Sequence, residues 1–285
     1  MRAKIPKRVW LAAGALVGLA WLVTETHWLR VVRLRVELPL SSGRAVRVVQ
    51  LSDPHGRARF LNGSIATTVN ALKPDVVCIT GDLVSHQSDL PRVLAELRRI
   101  ECAHIYFVPG NWERETLSGF RKRLLSQAES AAVLAAVSGV ARVLLNAGES
   151  ITVGGLRLRI YGYDNSACGL ERPEGFPGKA DVRLLLAHSP QIIESVRRGG
   201  VPFDLLLTGH THGGQIRLFG LTVAQGRRWH TGARREPSNG LFYVSRGLGT
   251  TRLPLRLGSP PEVLCADLMG CQPHLHRPPY FLNLE

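Results

Sequence analysis

The chain has 285 residues, 45% of them hydrophobic, and its 36 Lys and Arg against 22 Asp and Glu give a formal net charge of +14. This length and composition suit one α/β domain with a large buried core. The charge favours anionic partners, but no run of five or six like charges supports a nucleic-acid-binding tail. The five cysteines, an odd number without a Cys-x-x-Cys pair, exclude a disulfide framework or zinc finger and favour a reducing compartment.

The N-terminal segment has the composition of a membrane anchor. Basic residues at positions 2, 4, 7 and 8 precede an apolar run at 9–23, which is longer than a signal-peptide core and shorter than a full span. No small-residue cleavage site follows, so we expect an uncleaved anchor that extends through Leu29, with Trp10, Trp21 and Trp28 at the interface. A short re-entrant or in-plane anchor fits as well. Arginines at 30, 33 and 35 nearly cancel the positive-inside count, so the sequence leaves the side of the membrane open.

Strand-like and helix-like patterns alternate after this anchor. Residues 29–38 predict an edge strand leading off the membrane, and residues 115 to about 137 predict a helix. The other predicted strands are 45–51, 75–80, 104–108, 141–146, 150–153, 156–163, 182–187, 204–207, 215–218, 241–245 and 263–268, and the other predicted helices are 62–72, 90–100 and 191–198. In such α/β folds, ligands bind at the carboxyl ends of the strands. We divide the chain into the anchor and leading strand (1–38), one main domain (39–270) and a surface-packed C-terminal tail (271–285).

Residues able to bind metal ions follow several of these strands directly. They are Asp53, His55, Asp82, Asn111, His188, His210 and His212. If the His210-Thr211-His212 backbone is extended, its two imidazoles point the same way. Each of the seven, taken alone, is better explained as a turn, cap or core residue than as a metal ligand. Together they predict two divalent ions of the Mn, Fe or Zn kind, with a shared bridging carboxylate suited to phosphoryl transfer.

The motifs occur in the order Asp53-x-His55, Gly81-Asp82, Gly110-Asn111, His188 and Gly209-His210-x-His212. In order and spacing they resemble the calcineurin-like metallophosphoesterases over residues 44–268. Trp28-Leu29, the segment 209–215 and the segment 243–250 ahead of 261–263 are similar to the membrane-anchored bacterial branch, which includes phosphodiesterases and UDP-2,3-diacylglucosamine hydrolases of lipid A synthesis.

The resemblance implies a four-layer α/β sandwich, in which two mixed β-sheets are flanked by helices. It also implies one metal held by Asp53, His55 and His212, and a second held by Asn111, His188 and His210, with Asp82 as the bridge. Asp82, Asn111 and His210 are the residues we expect to act in catalysis.

The chain departs from the family pattern at Trp112, where the family usually has a histidine that assists the leaving group. A weakly basic leaving group, such as a phosphate released from a pyrophosphate bond, does not need that proton. Trp112 then either stacks on a base or sugar of the substrate or is a packing residue. Arg57, two residues after His55, is the second expected substrate-binding residue, with a solvated arginine as the alternative.

The sequence therefore predicts a membrane-anchored, dimetal phosphohydrolase that cleaves a phosphodiester or pyrophosphate bond. The expected substrate is a phosphorylated lipid or nucleotide-lipid such as UDP-2,3-diacylglucosamine, at the cytoplasmic face of a bacterial inner membrane. The expected cofactors are two divalent ions, Mn first, with Fe, Zn or Mg as alternatives. The expected partners are this substrate and the membrane surface, and not nucleic acid. The alternatives are a broad-specificity phosphodiesterase and a catalytically weak metal-binding scaffold that lost activity with Trp112.

Overall fold

The computed structural model describes residues 7–38, 40, 45–119, 121–172, 178–218, 221–222, 231–236, 240–270 and 280–283. The strands are β1 (Arg30–Leu38), β2 (Ala45–Leu51), β3 (Arg59–Phe60), β4 (Gly63–Ser64), β5 (Val76–Ile79), β6 (Ile105–Phe107), β7 (Glu115–Ser118), β8 (Arg121–Leu124), β9 (Arg142–Val143), β10 (Ala147–Val153), β11 (Leu156–Gly162), β12 (Val182–Leu186), β13 (Leu205–Thr208), β14 (Arg217–Leu218), β15 (Leu221–Thr222), β16 (Gly232–Arg235), β17 (Leu241–Val244), β18 (Glu262–Gly270) and β19 (Tyr280–Asn283). The helices are α1 (Lys7–His27), α2 (Ile65–Leu72), α3 (Leu90–Leu97), α4 (Gln127–Ser138) and α5 (Ile192–Arg198), with short 3₁₀ helices at Gln87–Asp89, Asn111–Glu113 and His212–Gly214.

Two large mixed sheets contain most of the strands. The first has the order β19-β1-β18-β2-β5-β6-β9, and the second has the order β10-β11-β12-β13-β17-β16. In the first sheet β2, β5 and β6 are parallel to one another. In the second, β11, β12, β13 and β17 are parallel. Antiparallel pairs of β2 with β18 and of β10 with β11 make both sheets mixed.

Apolar side chains pack these sheets and helices into four layers. Val48 and Leu264 of the first sheet meet Leu158 and Leu184 of the second in a common core, and all four are inaccessible to solvent. The outer face of the first sheet packs on α2, α3 and α4, and that of the second packs on α5. Each fully buried aliphatic side chain contributes roughly 1.5–3 kcal/mol of hydrophobic stabilisation. The sandwich of two mixed sheets between helices is therefore confirmed.

Most predicted strands and helices are present, with their ends displaced by a few residues. The predicted strands at 141–146 and 215–218 are shorter, because only Arg142–Val143 and Arg217–Leu218 pair. The predicted helix at 62–72 begins at Ile65, since Ser64 caps it and the preceding residues form the β3–β4 hairpin. Of the expected C-terminal tail, the residues of β19 pair antiparallel with β1, and 271–279 and 284–285 lie outside the described residues.

Two of the sequence predictions are wrong. The helix expected over residues 115 to about 137 is instead the β7–β8 hairpin followed by α4. Gly119 adopts a φ of +60° in the hairpin turn, and Ser126 and Glu129 form the capping box that begins α4. The second error concerns β1, which was expected at a sheet edge. It lies between β18 and β19, because the C-terminal strand β19 pairs antiparallel with the side of β1 that β18 leaves open.

The N-terminal helix α1 lies outside both sheets. Only Thr26 among its 21 residues is buried, and Trp10 and Trp21 are 65% and 55% exposed. Within the described ranges it is the one helix long and apolar enough to cross a membrane, with a mean hydropathy of 1.5. Trp28, directly after the helix, is 48% exposed. Length, composition and exposed aromatic rings are those expected of an anchor.

The close approach of the sheets at Gly162 allows a test of the packing. A Cβ atom at Gly162, the last residue of β11, would lie 2.5 Å from Cγ1 of Val108 and also collide with Leu144. We expect Gly162→Ala to lower the free energy of unfolding by about 1–3 kcal/mol, because overpacking forces the core apart. Gly139→Ala is the control, since the nearest atom to its added Cβ is at 3.4 Å. Equal denaturation midpoints for the two variants would contradict the packing.

Candidate metal centre

The metal-binding residues predicted from the sequence converge at one edge of the sandwich. They follow the carboxyl ends of five parallel strands, β2, β5, β6, β12 and β13. Because β2, β5 and β6 belong to one sheet and β12 and β13 to the other, the site lies where both sheets end. The ligand-binding edge expected of an α/β fold is therefore where these side chains meet.

The first cluster consists of Asp53, His55 and His212. Nε2 of His55 lies 3.1 Å from Nε2 of His212, which lies 3.7 Å from Oδ1 of Asp53. Two nitrogens bound to one ion at about 2.1 Å and at right angles would be roughly 3.0 Å apart. Spacing and donor types therefore fit one divalent ion.

The second cluster consists of Asp82, His188 and His210. Nε2 of His188 lies 2.9 Å from Nδ1 of His210 and 3.2 Å from Oδ2 of Asp82. The same carboxylate oxygen lies 3.6 Å from Nε2 of His55 in the first cluster. Oδ2 of Asp82 thus faces a histidine of each cluster, which is the position required of a bridging carboxylate.

Asn111, which follows β6, has a buried amide oxygen that is free to bind a metal ion. Oδ1 of Asn111 is buried and has no hydrogen-bond partner within the described part of the chain. Its Nδ2 donates to Oε2 of Glu115 at 3.2 Å, which fixes the orientation of the amide. A buried polar atom without a partner is costly, and a divalent ion removes that cost. The donor set of imidazole, carboxylate and amide groups therefore fits two ions of the Mn, Fe or Zn kind.

The backbone at the site is strained. Asp53, His55, Asp82, His210 and His212 all have positive φ, between 47° and 70°. Non-glycine residues rarely adopt this region, and such strain concentrates at functional sites. The His-Thr-His segment is therefore not extended, and the condition under which its two imidazoles would point the same way is not met. The left-handed turns instead direct His210 and His212 into different clusters, as the family resemblance implies.

Hydrogen bonds on the far side of two imidazoles select the ring nitrogens that face the site. Nδ1 of His188 donates to the carbonyl oxygen of Thr80 at 2.7 Å, and Nδ1 of His55 lies 2.8 Å from Oγ of Ser85. With the proton held on Nδ1, the Nε2 lone pair is available for a metal ion.

Burial and charge set the protonation states of the ligands in the absence of metal. Burial raises the pKa of Asp53 to about 6 and lowers the pKa of His55 to about 4. Burial also disfavours ionised Asp82, but the positive charge of His188 outweighs it, so the pKa of Asp82 lies well below its usual value. The pKa of His188 rises to about 10, because Asp82 outweighs the opposing effect of burial. Asp82 and His188 therefore form an ion pair when no metal is bound. A bound metal ion replaces the extra proton of His188.

Glu113 is a buried residue of the site that sequence reasoning missed. Oε2 accepts hydrogen bonds from the backbone N–H groups of Asp82 at 3.0 Å and Gly110 at 2.7 Å, and Oε1 accepts one from Leu83 at 2.9 Å. It joins the loop after β5 to the loop after β6. Burial and the charge of Asp82 raise the pKa of Glu113 to about 7. The sequence signal that could have identified Glu113 is its spacing, three residues after Gly110.

The residues predicted to bind substrate lie beside the clusters. The Trp112 ring is 6% exposed, packs edge-on against His55 at 5.7 Å, and has Nζ of Lys122 4.6 Å from its centroid. Nη1 of Arg57 donates to the carbonyl oxygen of Thr26 at 2.8 Å and lies 3.0 Å from Nδ1 of His27. Packing accounts for Trp112 and the contact with α1 accounts for Arg57, while their roles in substrate binding stay predictions.

Arg256, a further residue that the sequence analysis missed, also joins α1 to the site. Its backbone N–H donates to Oγ1 of Thr26 at 2.9 Å, and its fully buried guanidinium lies 3.3 Å from Nδ1 of His212. The guanidinium also donates to the carbonyl oxygens of Arg246 and Ser259. Burial lowers the pKa of Arg256 to about 9. The end of α1 is thereby held against the loops that carry His55 and His212.

Two imidazole–carboxylate clusters that share one carboxylate define a dimetal hydrolase site of the phosphoesterase kind. The family model of the calcineurin-like phosphoesterases matches residues 46–214. The chain belongs to this family and is a metal-dependent phosphoester hydrolase.

Known proteins of this kind resemble most of the chain. The metallophosphoesterase YkuE of Bacillus subtilis is 30% identical over 76% of this chain and 77% of its own length. Phosphodiesterase YaeI of Escherichia coli is 28% identical over 86% of this chain and 90% of its own. A zebrafish transmembrane protein with a metallophosphoesterase domain is 29% identical over 81% of this chain and 55% of its own length.

Glu113→Gln tests the connection between the loops. An amide nitrogen cannot accept a hydrogen bond, so at least one buried N–H group loses its partner, and we expect the free energy of unfolding to fall by about 1–3 kcal/mol. Glu194→Gln makes the same chemical change at an exposed position of α5 and is the control. Chemical denaturation measures both variants. Indistinguishable unfolding curves would show that Glu113 does not hold the loops together.

Proposed function

We propose that this protein hydrolyses a phosphodiester or pyrophosphate bond in a membrane lipid precursor, for which UDP-2,3-diacylglucosamine is the specific candidate. The proposed ligands of one ion are Asp53, His55 and His212, those of the other are Asn111, His188 and His210, and Asp82 bridges the two. The observation that carries this proposal is the position of Oδ2 of Asp82 between His55 and His188. Mn is the proposed metal, with Fe, Zn or Mg as alternatives.

When bound, two divalent ions stabilise the attacking and leaving oxygens of an in-line displacement and lower the pKa of an attacking water. The chain contributes by holding the ligands in fixed positions. Asp53 accepts the backbone N–H of His210 at 3.0 Å, and Asp82 accepts that of Trp112 at 2.9 Å. These bonds fix the carboxylates before substrate arrives, so little reorganisation is needed during the reaction.

The environment of residue 112 supports a substrate with a weakly basic leaving group. The buried indole of Trp112 has no acidic proton to transfer, in the place where the family usually has a histidine. The ammonium of Lys122, paired with Glu115, is the cation next to it. A phosphate leaving group from a pyrophosphate bond departs as an anion and does not require protonation.

The position of α1 supports a substrate presented by a membrane. The last turn of this helix contacts Arg57 and Arg256. The guanidinium of Arg256 lies against His212, and Arg57 follows His55 by two residues. A helix that ends at the bilayer surface would therefore place the site next to lipid headgroups. The cytoplasmic face of a bacterial inner membrane is the proposed location, and Cys78, Cys102, Cys168 and Cys265, which are free thiols, favour a reducing compartment.

A broad-specificity phosphodiesterase is the second candidate function. It is favoured by the similarity to a protein named as a phosphodiesterase in Escherichia coli. Its distinguishing property is turnover of simple diesters at rates comparable to those of lipid pyrophosphates. A metal-binding scaffold without activity is a less favoured alternative, because all seven proposed ligands are retained.

The substrate proposal is tested with purified, Mn-loaded full-length protein in detergent micelles. We expect kcat/KM for UDP-2,3-diacylglucosamine to exceed that for bis-p-nitrophenyl phosphate by at least about 100-fold, because the diester offers a single phosphate and no lipid. Asp82→Ala is expected to lower both activities about 1000-fold or more, since it removes the bridge. Comparable kcat/KM values for the two compounds would favour the broad-specificity phosphodiesterase. No measurable hydrolysis of either compound would favour the metal-binding scaffold.

Metal content gives a test that does not depend on activity. After loading with Mn and desalting, we expect two ions per chain, one for each cluster. Removing a ligand of one cluster by His212→Ala or His188→Ala is expected to lower the content to one or fewer. His86→Ala is the control, because His86 is outside both clusters. Elemental analysis provides the counts, and a wild-type content of one ion or none would refute the dimetal assignment.

A further inference from the structure

The tip of the β3–β4 hairpin is attached to the end of α1. The backbone N–H of Leu61 donates to the carbonyl oxygen of His27 at 2.9 Å. The side chain of Asn62 pairs with the backbone of Leu29, since its Oδ1 accepts the N–H at 2.9 Å and its Nδ2 donates to the carbonyl oxygen at 2.8 Å. Because these bonds are made to the residues on either side of Trp28, the hairpin tip lies at the level of Trp28.

Two large apolar side chains are exposed where the hairpin meets the helix. Leu61, at the tip, is 61% exposed, and Trp28 is 48% exposed. Phe60, by contrast, packs against the core that the first sheet forms with its helices, and the guanidinium carbon of Arg57 lies 5.8 Å from its ring centroid. The hairpin therefore turns Phe60 inward and leaves Leu61 outside. Trp at the end of an apolar helix, with apolar neighbours, is typical of a membrane–water interface.

The hydrogen bonds at the end of α1 suit an environment that is poor in water. The last carbonyl groups of a helix have no partner within the helix. Here the carbonyl oxygen of Thr26 accepts a hydrogen bond from Arg57, and that of His27 accepts one from Leu61. An unsatisfied backbone group is costly in an apolar environment. The hairpin and its neighbouring loop thus supply partners that water would otherwise have to supply.

The surface next to the hairpin is positively charged. A cleft that begins at His27, the last residue of α1, is lined by four arginines and one acidic residue, namely Arg57, Arg59, Arg92, Arg99 and Glu96. Arg59 belongs to the hairpin itself and is exposed, and its side chain makes no hydrogen bond or ion pair with the residues that the structure describes. Basic residues next to a membrane anchor attract anionic phospholipids.

We infer that the β3–β4 hairpin is a second membrane contact, which inserts Leu61 into the surface of an anionic bilayer and places Arg59 among the lipid phosphates. The bilayer is the occupant of this surface because the surface continues the exposed apolar helix α1 and carries positive charge. The inference rests on the proposed function in one respect, namely that α1 lies in a membrane. Two contacts prevent rotation about the helix axis, so the hairpin determines which side of the domain faces the lipid.

The test measures the depth of the hairpin in a bilayer. Full-length protein is reconstituted in phosphatidylcholine vesicles that contain phosphatidylglycerol, with a nitrobenzoxadiazole fluorophore on Leu61→Cys. Three native thiols are removed by Cys102→Ser, Cys168→Ser and Cys271→Ser, and the buried Cys78 and Cys265 are kept. We expect lipids with a nitroxide in the upper acyl chain to quench this fluorophore at least about threefold more than one on Thr152→Cys, and iodide in the water to quench it less.

Thr152→Cys is the matched control for an exposed site in water. Thr152 is exposed on β10, next to the turn that leads into β11. Because β11 is parallel to β12 and β13, this turn lies at the amino ends of the parallel strands, opposite the edge to which the end of α1 is attached. Val17→Cys is the control for α1, since Val17 is 70% exposed in the middle of the helix. We expect nitroxide lipids to quench the fluorophore at Val17.

Arg59→Gln tests the contribution of charge. In the protein labelled at Leu61, we expect phosphatidylglycerol to strengthen quenching by nitroxide lipids about twofold over pure phosphatidylcholine, and Arg59→Gln to remove this increase. Arg98→Gln is the control and is expected to leave the increase intact, because Arg98 is exposed at the end of α3 and does not line the cleft. Equal lipid dependence in the two variants would contradict the assignment of Arg59 to the lipid phosphates.

The two quenchers distinguish the other possible surroundings of the hairpin. If iodide quenches the fluorophore at Leu61 as strongly as that at Thr152, the hairpin lies in water and the inference is overturned. Protection from both iodide and nitroxide lipids would overturn it as well, because a second copy of the chain or another protein then covers the hairpin. Quenching by lipid at Val17 but not at Leu61 would leave the anchor in place without the second contact. Absence of lipid quenching at both sites would refute the membrane location in the proposed function, and none of these measurements depends on hydrolysis.

Discussion

The buried carboxylate of Asp82 is the group on which the arrangement of the site depends. It lies between His55 and His188, accepts the backbone N–H of Trp112, and is 2% exposed. A carboxylate in such a place is stable only if its charge is compensated. His188 supplies that compensation without metal, and two ions supply it when bound. Because Asp82 follows β5 and His188 follows β12, the same compensation joins the two sheets at their carboxyl edge.

The close approach of the loops follows from this requirement. A Cβ atom at Gly110 would lie 2.8 Å from Nδ1 of His188, so only glycine allows the backbone to come so near. The strained φ of Asp82 is maintained by the bonds that Glu113 makes to the loops after β5 and β6. In a second network of hydrogen bonds, Gln50 donates to Oγ1 of Thr80, and Thr80 donates to Oγ of Ser52. This network supports the backbone that carries Asp53. Packing and buried hydrogen bonds therefore offset the strain of the ligand positions.

The sequence was sufficient for the parts of the structure with local signals. Apolar runs predicted the parallel strands, and polar residues at their ends predicted the ligands. The sequence analysis failed where a contact joins residues that are far apart in the chain, because such a contact has no characteristic spacing in the sequence. Examples are the contact of Ser85 with His55 and those of Arg256 with His212 and Thr26. The prediction of one helix over 115–137 also failed. The spacing of apolar residues there resembled a helix, so the turn at Gly119 and the helix cap at Ser126 were overlooked. The division of the two His-Thr-His imidazoles between clusters came only from the family resemblance, because it depends on left-handed turns.

The contacts of Arg57 and Arg256 with Thr26 bear on how substrate reaches the site. Thr26 is 2% exposed, and its carbonyl and hydroxyl oxygens accept hydrogen bonds from these two arginines. Arg57 is two residues from His55, and the guanidinium of Arg256 contacts His212, so the helix end is attached to both sides of the first metal cluster. A flexible tether would let the domain rotate relative to α1, whereas this attachment gives the first metal cluster a fixed position relative to the end of the helix. If α1 crosses a membrane, the distance of the metal centre from the bilayer surface is fixed as well.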